Sequence, residues 1–523
     1  MANGLRVAVE GHAERPARGG SSAPGTPLLA ALSWVVLTST WEPQMLVAGV
    51  DSSTQSTKVL LCQADDGTIV GQASAPHPDG TECDPELWWQ ALAKAGDGLL
   101  GRADAIGVAA QQHGMVVLDE AGQVVRPALL WNDVRSAPQA AALIAELGGP
   151  RRWARLTGSV PTASFTVTKL RWLAEHEPDS AARTARVMLP HDWLTWRLGD
   201  RTQEPATDRG DASGTGYFSP ATGRWLPEVA EAALGKPAGL PRLAGPAEVV
   251  ARTAGGAALS AGTGDNMGAA LGLGLGLGEV VVSIGTSGTA YAVAAKPAAD
   301  ESGAVAGFAD ATGRFLPLVA TINAARVLTV TARMLGTDAD GLSRLALAAP
   351  PGAQGLVMLP YLDGERSPNR PGANGVLRGL TSANTTQENM ARAAVEAVLC
   401  SLADAIGNLA GCGITAQRVI LIGGAARSQA VRQIAPQIFG VPVTVPSPGD
   451  SAGPGGRTPA PPEWVALGAA RQAAWALSAE AGPGAAEPPS WPLAGTAEYT
   501  AEPTPQVRAQ YAALRDATAS WGS

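Results

Sequence analysis

Apolar residues gather at Leu46-Val47-Ala48-Gly49-Val50, break into Asp51-Ser52-Ser53-Thr54-Gln55-Ser56-Thr57-Lys58, and resume as Val59-Leu60-Leu61-Cys62. A hydrophobic run, a polar turn and a second hydrophobic run predict a β-hairpin. The layout returns in the middle of the chain as Val280-Val281-Val282-Ser283-Ile284, then Gly285-Thr286-Ser287-Gly288-Thr289, then Ala290-Tyr291-Ala292-Val293. Two such hairpins, far apart and each with a hydroxyl-rich turn, point to two related α/β domains rather than a solenoid, whose period is about 20–50 residues.

Helix signals fill the spaces between strands. Asp84-Pro85-Glu86 supplies an N-cap, a proline at the first helical position and an acid in the first turn before Leu87, Trp88 and an alanine-rich run. Thr385 and Glu388 read as a capping box, after which Val395, Val398, Leu399, Leu402, Ile406 and Leu409 recur on one helix face. Alternating strands and helices predict α/β layers.

The pattern lapses in three places. Leu28 to Thr38 is apolar but too short for a bilayer span of about 20 residues, and with Arg6, Arg15 and Arg18 before it the stretch mimics a signal peptide. The expectation for residues 1–44 is a poorly ordered extension, or an upstream start with Met45 as the beginning. Residues 447–462 are dense in Gly and Pro and read as an exposed insertion. The tail from 481 to 523 starts similarly, then turns weakly helical around Val507 to Leu514.

Composition narrows the function. With 523 residues the chain exceeds one core, which stops growing at roughly 250–300 residues. It has 63 glycines and 40 prolines but is 46% hydrophobic, so it reads as loop-rich and globular. Thirty-eight basic against 46 acidic side chains give a net charge of −8, with no long basic run. That balance argues against nucleic acid as the main partner and for a small ligand. Cys62, Cys83, Cys400 and Cys412 show neither disulfide nor metal-ligand spacing and read as reduced thiols in a cytoplasmic protein.

The candidate chemistry lies where strands end. Asp51 opens a tight turn whose hydroxyls and backbone N–H groups could hold a phosphate while its carboxylate orients a metal ion; an ordinary polar hairpin is the plainer alternative. Gly285 to Thr289 offers a second such turn, and the two could grip a polyphosphate from both sides. Val419-Ile420-Leu421-Ile422 runs into Gly423-Gly424-Ala425-Ala426-Arg427-Ser428, a strand, glycine turn and helix in which small residues let a flat ring approach the backbone, or merely serve packing. Gly272, Gly274, Gly276 and Gly278 follow a helix and precede a strand, the wrong order for a dinucleotide loop, and read as a packed or flexible connection.

Asp265 begins a helix and is either its cap or a general base beside a substrate hydroxyl. Gln112 and His113, with Trp131, Asn132, Asp133 and Arg135, follow apolar stretches and make a plausible polyol pocket, the structural alternative for His113 being a satisfied buried imidazole. Asp208 and Asp211 are weaker candidates that could simply order a turn.

Taken together these motifs resemble the FGGY carbohydrate kinases, nearest to the members that act on D-xylulose. The resemblance runs from about Met45 to Leu477. It rests on Gly49-Val50-Asp51 with Thr54 and Lys58, Asp84 to Trp89, Gln112-His113-Gly114, Leu130-Trp131-Asn132-Asp133, Gly264-Asp265-Asn266, Ser283 to Gly288, Leu359 to Pro368, Gly423 to Ser428, and Ala466-Leu467-Gly468-Ala469-Ala470. It implies two ribonuclease-H-like domains of the actin and hexokinase type flanking a central cleft, at 45–275 for sugar and phosphate and 276–480 for nucleotide. It implies transfer of a phosphoryl group from ATP, with Mg2+, to D-xylulose. Asp265 would accept the proton, and Gln112, His113, Trp131, Asn132, Asp133 and Asn266 would bind the sugar. Asp51 would serve the magnesium ion, while Thr54, Lys58, Gly285, Thr286, Ser287, Gly423, Gly424, Ala425 and Arg427 would hold the nucleotide. Ser53 stands where many members carry glycine. A sister kinase for another pentulose, hexulose or polyol, and a catalytically idle sensor of the same fold, are the alternatives. No membrane partner is expected, and assembly, a homodimer included, stays open.

Overall fold

The computed structural model describes residues 45–446, 463–482, 486–493 and 495–521. The leading 44 residues and the 447–462 insertion of the sequence reading lie outside them.

Two seven-stranded sheets organise these residues. The first contains β1 (Leu46–Ser52), β2 (Ser56–Gln63), β3 (Ile69–Pro76), β4 (Ala105–Ala110), β5 (Val249–Arg252), β6 (Ala258–Ser260) and β7 (Thr263–Gly264). Their order is β5-β6-β4-β1-β2-β3, with β7 paired to the end of β4. The second contains β8 (Glu279–Ile284), β9 (Gly288–Ala292), β10 (Ala306–Ala309), β11 (Phe315–Thr321), β12 (Arg418–Ile422), β13 (Val443–Pro446) and β14 (Thr496–Tyr499), in the order β10-β11-β9-β8-β12-β13-β14. Within each, a hairpin and a third antiparallel strand lie on one side of the first strand, and parallel strands ending in an antiparallel edge strand on the other. This is the duplication read from the two hairpins.

The helices that pack on these sheets are α1 (Pro85–Gly96), α2 (Pro190–Leu198), α3 (Asp265–Gly272), α4 (Gln387–Gly411), α5 (Gln429–Phe439), α6 (Trp464–Ala481) and α7 (Pro505–Ala517). Alternate residues of each buried strand face opposite layers. Ala48, Val50, Ile106 and Val108 meet Trp88 and Leu92 of α1 and Trp193 and Leu194 of α2, while Val47 and Ala105 meet Ala466, Ala470 and Ala473 of α6. In the second sheet Val280, Val282 and Ile284 pack with α4 and α5, and Val281, Tyr291 and Ile420 pack with Met267, Ala269 and Ala270 of α3. Helices α3 and α6 are therefore the middle layer, shared by both sheets. Each large side chain buried fully in these layers stabilises the fold by roughly 1.5–3 kcal/mol.

Glycine allows the middle layer its close approach. A Cβ on Gly49 would stand 1.8 Å from the Ala466 carbonyl oxygen, and one on Gly272 would stand 2.1 Å from that of Trp464. The second contact makes Gly272, the last residue of α3, a packed position; of the two alternatives read for the Gly272–Gly278 stretch, packing holds there.

Helix starts follow the sequence signals closely but not everywhere. Asp84 caps α1, accepting from the Glu86 N–H at 3.0 Å. The cap of α4 is Thr386 rather than Thr385: Thr386 is extended and accepts from the Asn389 N–H at 3.2 Å. Thr385 still belongs to the preceding turn, where its hydroxyl donates to the Thr381 carbonyl at 2.6 Å. Among the described residues α4 alone is long and apolar enough to cross a membrane, yet 72% of its most apolar window is buried inside the protein, as for a core helix. The tail adds more than a weak helix. Its strand β14 extends the second sheet, and Val507, Tyr511 and Leu514 of α7 enter that sheet's core.

Candidate active site

Parallel strands bring three elements to one edge. Asp51 of β1 and Thr263 of β7 both lie in register with Ala109 of β4, on either side of it. Asp51 and Thr263 are thus two strand spacings apart, about 10 Å. Beyond Ala110 the chain continues into Gln111 and Gln112, and beyond Thr263 into Asp265, so all these side chains meet at the C-terminal ends of β1, β4 and β7. Ligands of open α/β sheets bind at such ends.

Asp51 is 2% exposed. Ser53 donates its hydroxyl to Asp51 Oδ1, and Lys58 Nζ lies 3.4 Å from Oδ2. Burial raises the proton affinity of this carboxyl even though Lys58 opposes it. Ser53 takes no left-handed backbone angle, so the turn accepts its Cβ and uses its hydroxyl. The sequence reading missed a partner: Glu463, just ahead of α6, accepts from Lys58 Nζ at 2.7 Å. An acid next to an apolar helix start had been its one visible signal.

Asp265 is the first residue of α3. Its Oδ1 accepts from the Asn266 N–H at 2.8 Å and from Asn266 Nδ2 at 2.9 Å. The same Nδ2 donates to Gln112 Oε1 at 3.0 Å, leaving the buried Gln112 Nε2 without a hydrogen-bond partner among the described residues. Burial, reinforced by the charges of Asp51 and Asp211, pushes the Asp265 carboxyl up to about 7. The helix N-terminus favours the ionised form, but only by about 0.3–1 kcal/mol at ordinary sites, and here desolvation wins.

Asp208 and Asp211 have distinct roles beneath this segment. Asp208 orders a turn, accepting from the Gly210 and Asp211 N–H groups at 2.9 and 2.8 Å and from Thr263 Oγ1 at 2.9 Å. Asp211 instead pairs with His191 Nδ1 at 2.6 Å, both fully buried. His191 lies on α2 and carried no signal in the sequence.

His113 has φ of 67°, in the left-handed region. Its Nδ1 lies 2.6 Å from the Gly214 carbonyl oxygen. Only a protonated Nδ1 can donate there, which leaves Nε2 as an acceptor. Lys169 Nζ donates to the His113 carbonyl at 3.1 Å and also to that of Ser164. Burial and the Lys169 charge depress His113 to about 3, so its ring is neutral at pH 7. Phe165 and Phe308 flank it, with ring centroids 4.8 and 5.7 Å away.

Of the Trp131-Asn132-Asp133 motif, Trp131 Nε1 donates to Thr54 Oγ1 at 2.8 Å. This ties the expected sugar side to the Asp51 turn. Asn132 Nδ2 donates to Gly80 O at 3.2 Å, while its buried Oδ1 has no partner among the described residues. Asp133 is committed elsewhere, because Arg135 Nε lies 2.9 and 3.0 Å from its two oxygens.

In the second sheet, Gly285, Thr286 and Ser287 form the turn between β8 and β9, with Thr286 and Ser287 exposed. Gly423 follows β12 with φ of 90°, and a Cβ there would stand 2.7 Å from the carbonyl of Ile284. The glycine is required, and it seats the second motif against the first. Gly424 and Arg427 are exposed and Ala425 is half-buried. The helix expected after the glycines is first a 3₁₀ turn, Gly424–Arg427, and α5 begins only at Gln429.

Among the described residues no group of three or more His, Cys, Asp and Glu is arranged to hold a metal ion. A single carboxylate, Asp51, in a hydroxyl-lined turn fits magnesium, which usually keeps several waters and takes substrate phosphate oxygens with one or two carboxylates.

The FGGY family of carbohydrate kinases matches this chain twice, its N-terminal domain at residues 46–273 and its C-terminal domain at 280–477. A xylulose kinase of Streptomyces coelicolor is 46% identical over 451 residues, spanning 83% of this chain and 89% of that protein. One of Escherichia coli is 35% identical over 455 residues, spanning 83% and 90%. The crystal structure of xylulose kinase from Bifidobacterium adolescentis superposes with a TM-score of 0.81 at 42% identity, covering 90% of this chain and 99% of that one. The duplicated sheets, the carboxylates at their strand ends and both domain matches lead to one statement: the chain belongs to the FGGY family of carbohydrate kinases.

Proposed function

We propose that this protein transfers the γ-phosphoryl group of ATP to the terminal hydroxyl of D-xylulose, giving D-xylulose 5-phosphate and ADP. The relatives named above are xylulose kinases. The observation that carries the reading is the Asp265–Asn266–Gln112 chain of hydrogen bonds at the strand ends, facing Asp51.

The sugar lies between Gln112, whose free Nε2 donates to a hydroxyl, and neutral His113, whose Nε2 accepts from one. Trp131 covers the carbon side, and Asn132 and Asn266 add amide contacts. Asp133 acts through Arg135, holding the Trp131 segment in place. Asp265 takes the proton of the attacking hydroxyl as the new O–P bond forms and the bond from the γ-phosphorus to the β-γ bridging oxygen breaks. An affinity near neutrality suits that role, since it combines an ionised fraction with a strong base. Thr54, Lys58 and the Gly285–Ser287 turn hold the phosphates, and Gly423, Gly424, Ala425 and Arg427 line the adenosine side. Asp51 would orient a magnesium ion, which neutralises phosphate charge when bound. Residues 45–275 thus serve sugar and phosphate, 276–480 the nucleotide, and a cytoplasmic setting supplies the ATP.

A coupled ADP-release assay over D-xylulose, ribulose, glycerol and gluconate tests the assignment. D-xylulose is expected to have the highest kcat/KM. A better result with any of the others would make the chain a sister kinase, and no turnover with any would make it a sensor.

A further inference from the structure

Arg366 belongs to the second half of the chain, in a turn fastened from below. Glu365, 1% exposed, accepts from the Ile322 and Arg366 N–H groups at 2.6 and 2.8 Å, and its other oxygen accepts from Asn323 Nδ2 at 3.1 Å. Asn323 Nδ2 also donates to the Gly364 carbonyl at 2.7 Å. Gly364 has φ of 79°, and a Cβ on it would lie 2.3 Å from the Pro371 carbonyl oxygen. The backbone beneath Arg366 is therefore rigid, and Glu365 is used up by it.

The Arg366 side chain leaves its own half. Its Nη2 donates at 3.1 Å to the hydroxyl of Ser164, which directly precedes Phe165. The carbonyl of Ser164 shares the Lys169 ammonium with the carbonyl of His113, so one amine links the Arg366 contact to the residue that presents the imidazole. Its positive charge also helps to depress the proton affinity of His113. Arg366 is exposed, and among the described residues its guanidinium makes this one hydrogen bond and no ion pair. A fork of five N–H donors, carried on a rigid turn and mostly unused, is matched to oxygen-rich ligands.

Resting on the D-xylulose reading, we propose that Arg366 is a sugar-binding residue supplied by the second half of the chain, its free N–H groups donating to hydroxyl or carbonyl oxygens of the ketose beside His113. The sugar is then held from both halves, and the contact forms only when they are together.

Steady-state kinetics with D-xylulose and ATP on wild type, Arg366→Gln and Ser164→Ala test this. Loss of a charged donor should raise KM for D-xylulose by about 10- to 100-fold in Arg366→Gln, with KM for ATP within about twofold and an unchanged melting temperature. Ser164→Ala, which removes only the protein acceptor, should leave KM for the sugar within about twofold. An unchanged sugar KM in Arg366→Gln, an equal rise in KM for ATP, or a Ser164→Ala effect as large as that of Arg366→Gln overturns the proposal; the last would reduce the contact to a latch between the halves. If wild type phosphorylates another sugar instead, the D-xylulose reading fails separately, and the same variants are measured on that sugar.

Discussion

The ammonium of Lys169, on a side chain with no exposed surface, sits 3.1 Å from the main-chain oxygen of His113, the residue whose backbone is left-handed. A conformation that costs of order 1–3 kcal/mol persists only where neighbours over-determine it. Lys169 is such a neighbour, and the imidazole geometry at the proposed sugar pocket depends on it.

This buried amine makes stability depend on pH. Burial lowers Lys169 from 10.5 to about 7, so between those values the unfolded chain binds more protons than the folded one. Folding stability from this group therefore rises with pH across that window, by at most about 1.4 kcal/mol per unit. Denaturant melts at pH 7 and 9 should show the gain in wild type and a smaller one in Lys169→Met. Equal gains in both would remove Lys169 as the source.

Asp265→Asn keeps the shape and the hydrogen bond to Asn266 but cannot accept a proton. Turnover should fall by about 10²–10⁴-fold with sugar binding largely intact. Unchanged turnover would mean that another group serves as the base.

The proton affinity of Asp265 gives a pH profile with a defined sign. The carboxyl must be ionised to work, so kcat/KM for the sugar should fall as the pH drops through about 7. A profile flat on the acid side down to about pH 5 would exclude this carboxyl as the titrating group.

Gly423→Ala places a Cβ where Ile284 leaves no room and where φ is 90°. The turn must shift, and KM for ATP should rise by about tenfold or more while KM for the sugar moves little, since the strain of roughly 1–3 kcal/mol falls on the proposed nucleotide side. An unaltered KM for ATP would separate this turn from nucleotide binding.

Both hairpins, the Asp84 cap and the start of α3 at Asp265 were legible in the sequence because each is governed by neighbours within a few residues: apolar period, capping side chain, turn hydroxyls. The order of short motifs was enough to reach the family. Local signals also misled by small amounts. Thr385 and Thr386 both look like caps, but only the Thr386 hydroxyl accepts from the first turn of α4, that of Thr385 being turned back to Thr381. Asp133 and Arg135 were grouped by closeness in the chain, and the fold pairs them directly.

Other features required the folded chain. The sequence shows α6 as an alanine-rich helix near the end of the second half, yet it packs on β1 of the first, because that is where Gly49 removes the Cβ that would keep them apart. Lys169 reads as a charged residue in a helix, Arg366 as one in a loop and Glu463 as one before a helix; their contacts with His113, Ser164 and Lys58 join residues tens to hundreds of positions apart. Periodicity and capping are local and visible in one dimension. Desolvation, and the company a charge keeps once buried, are set by which surfaces meet, and that is decided only when the layers assemble.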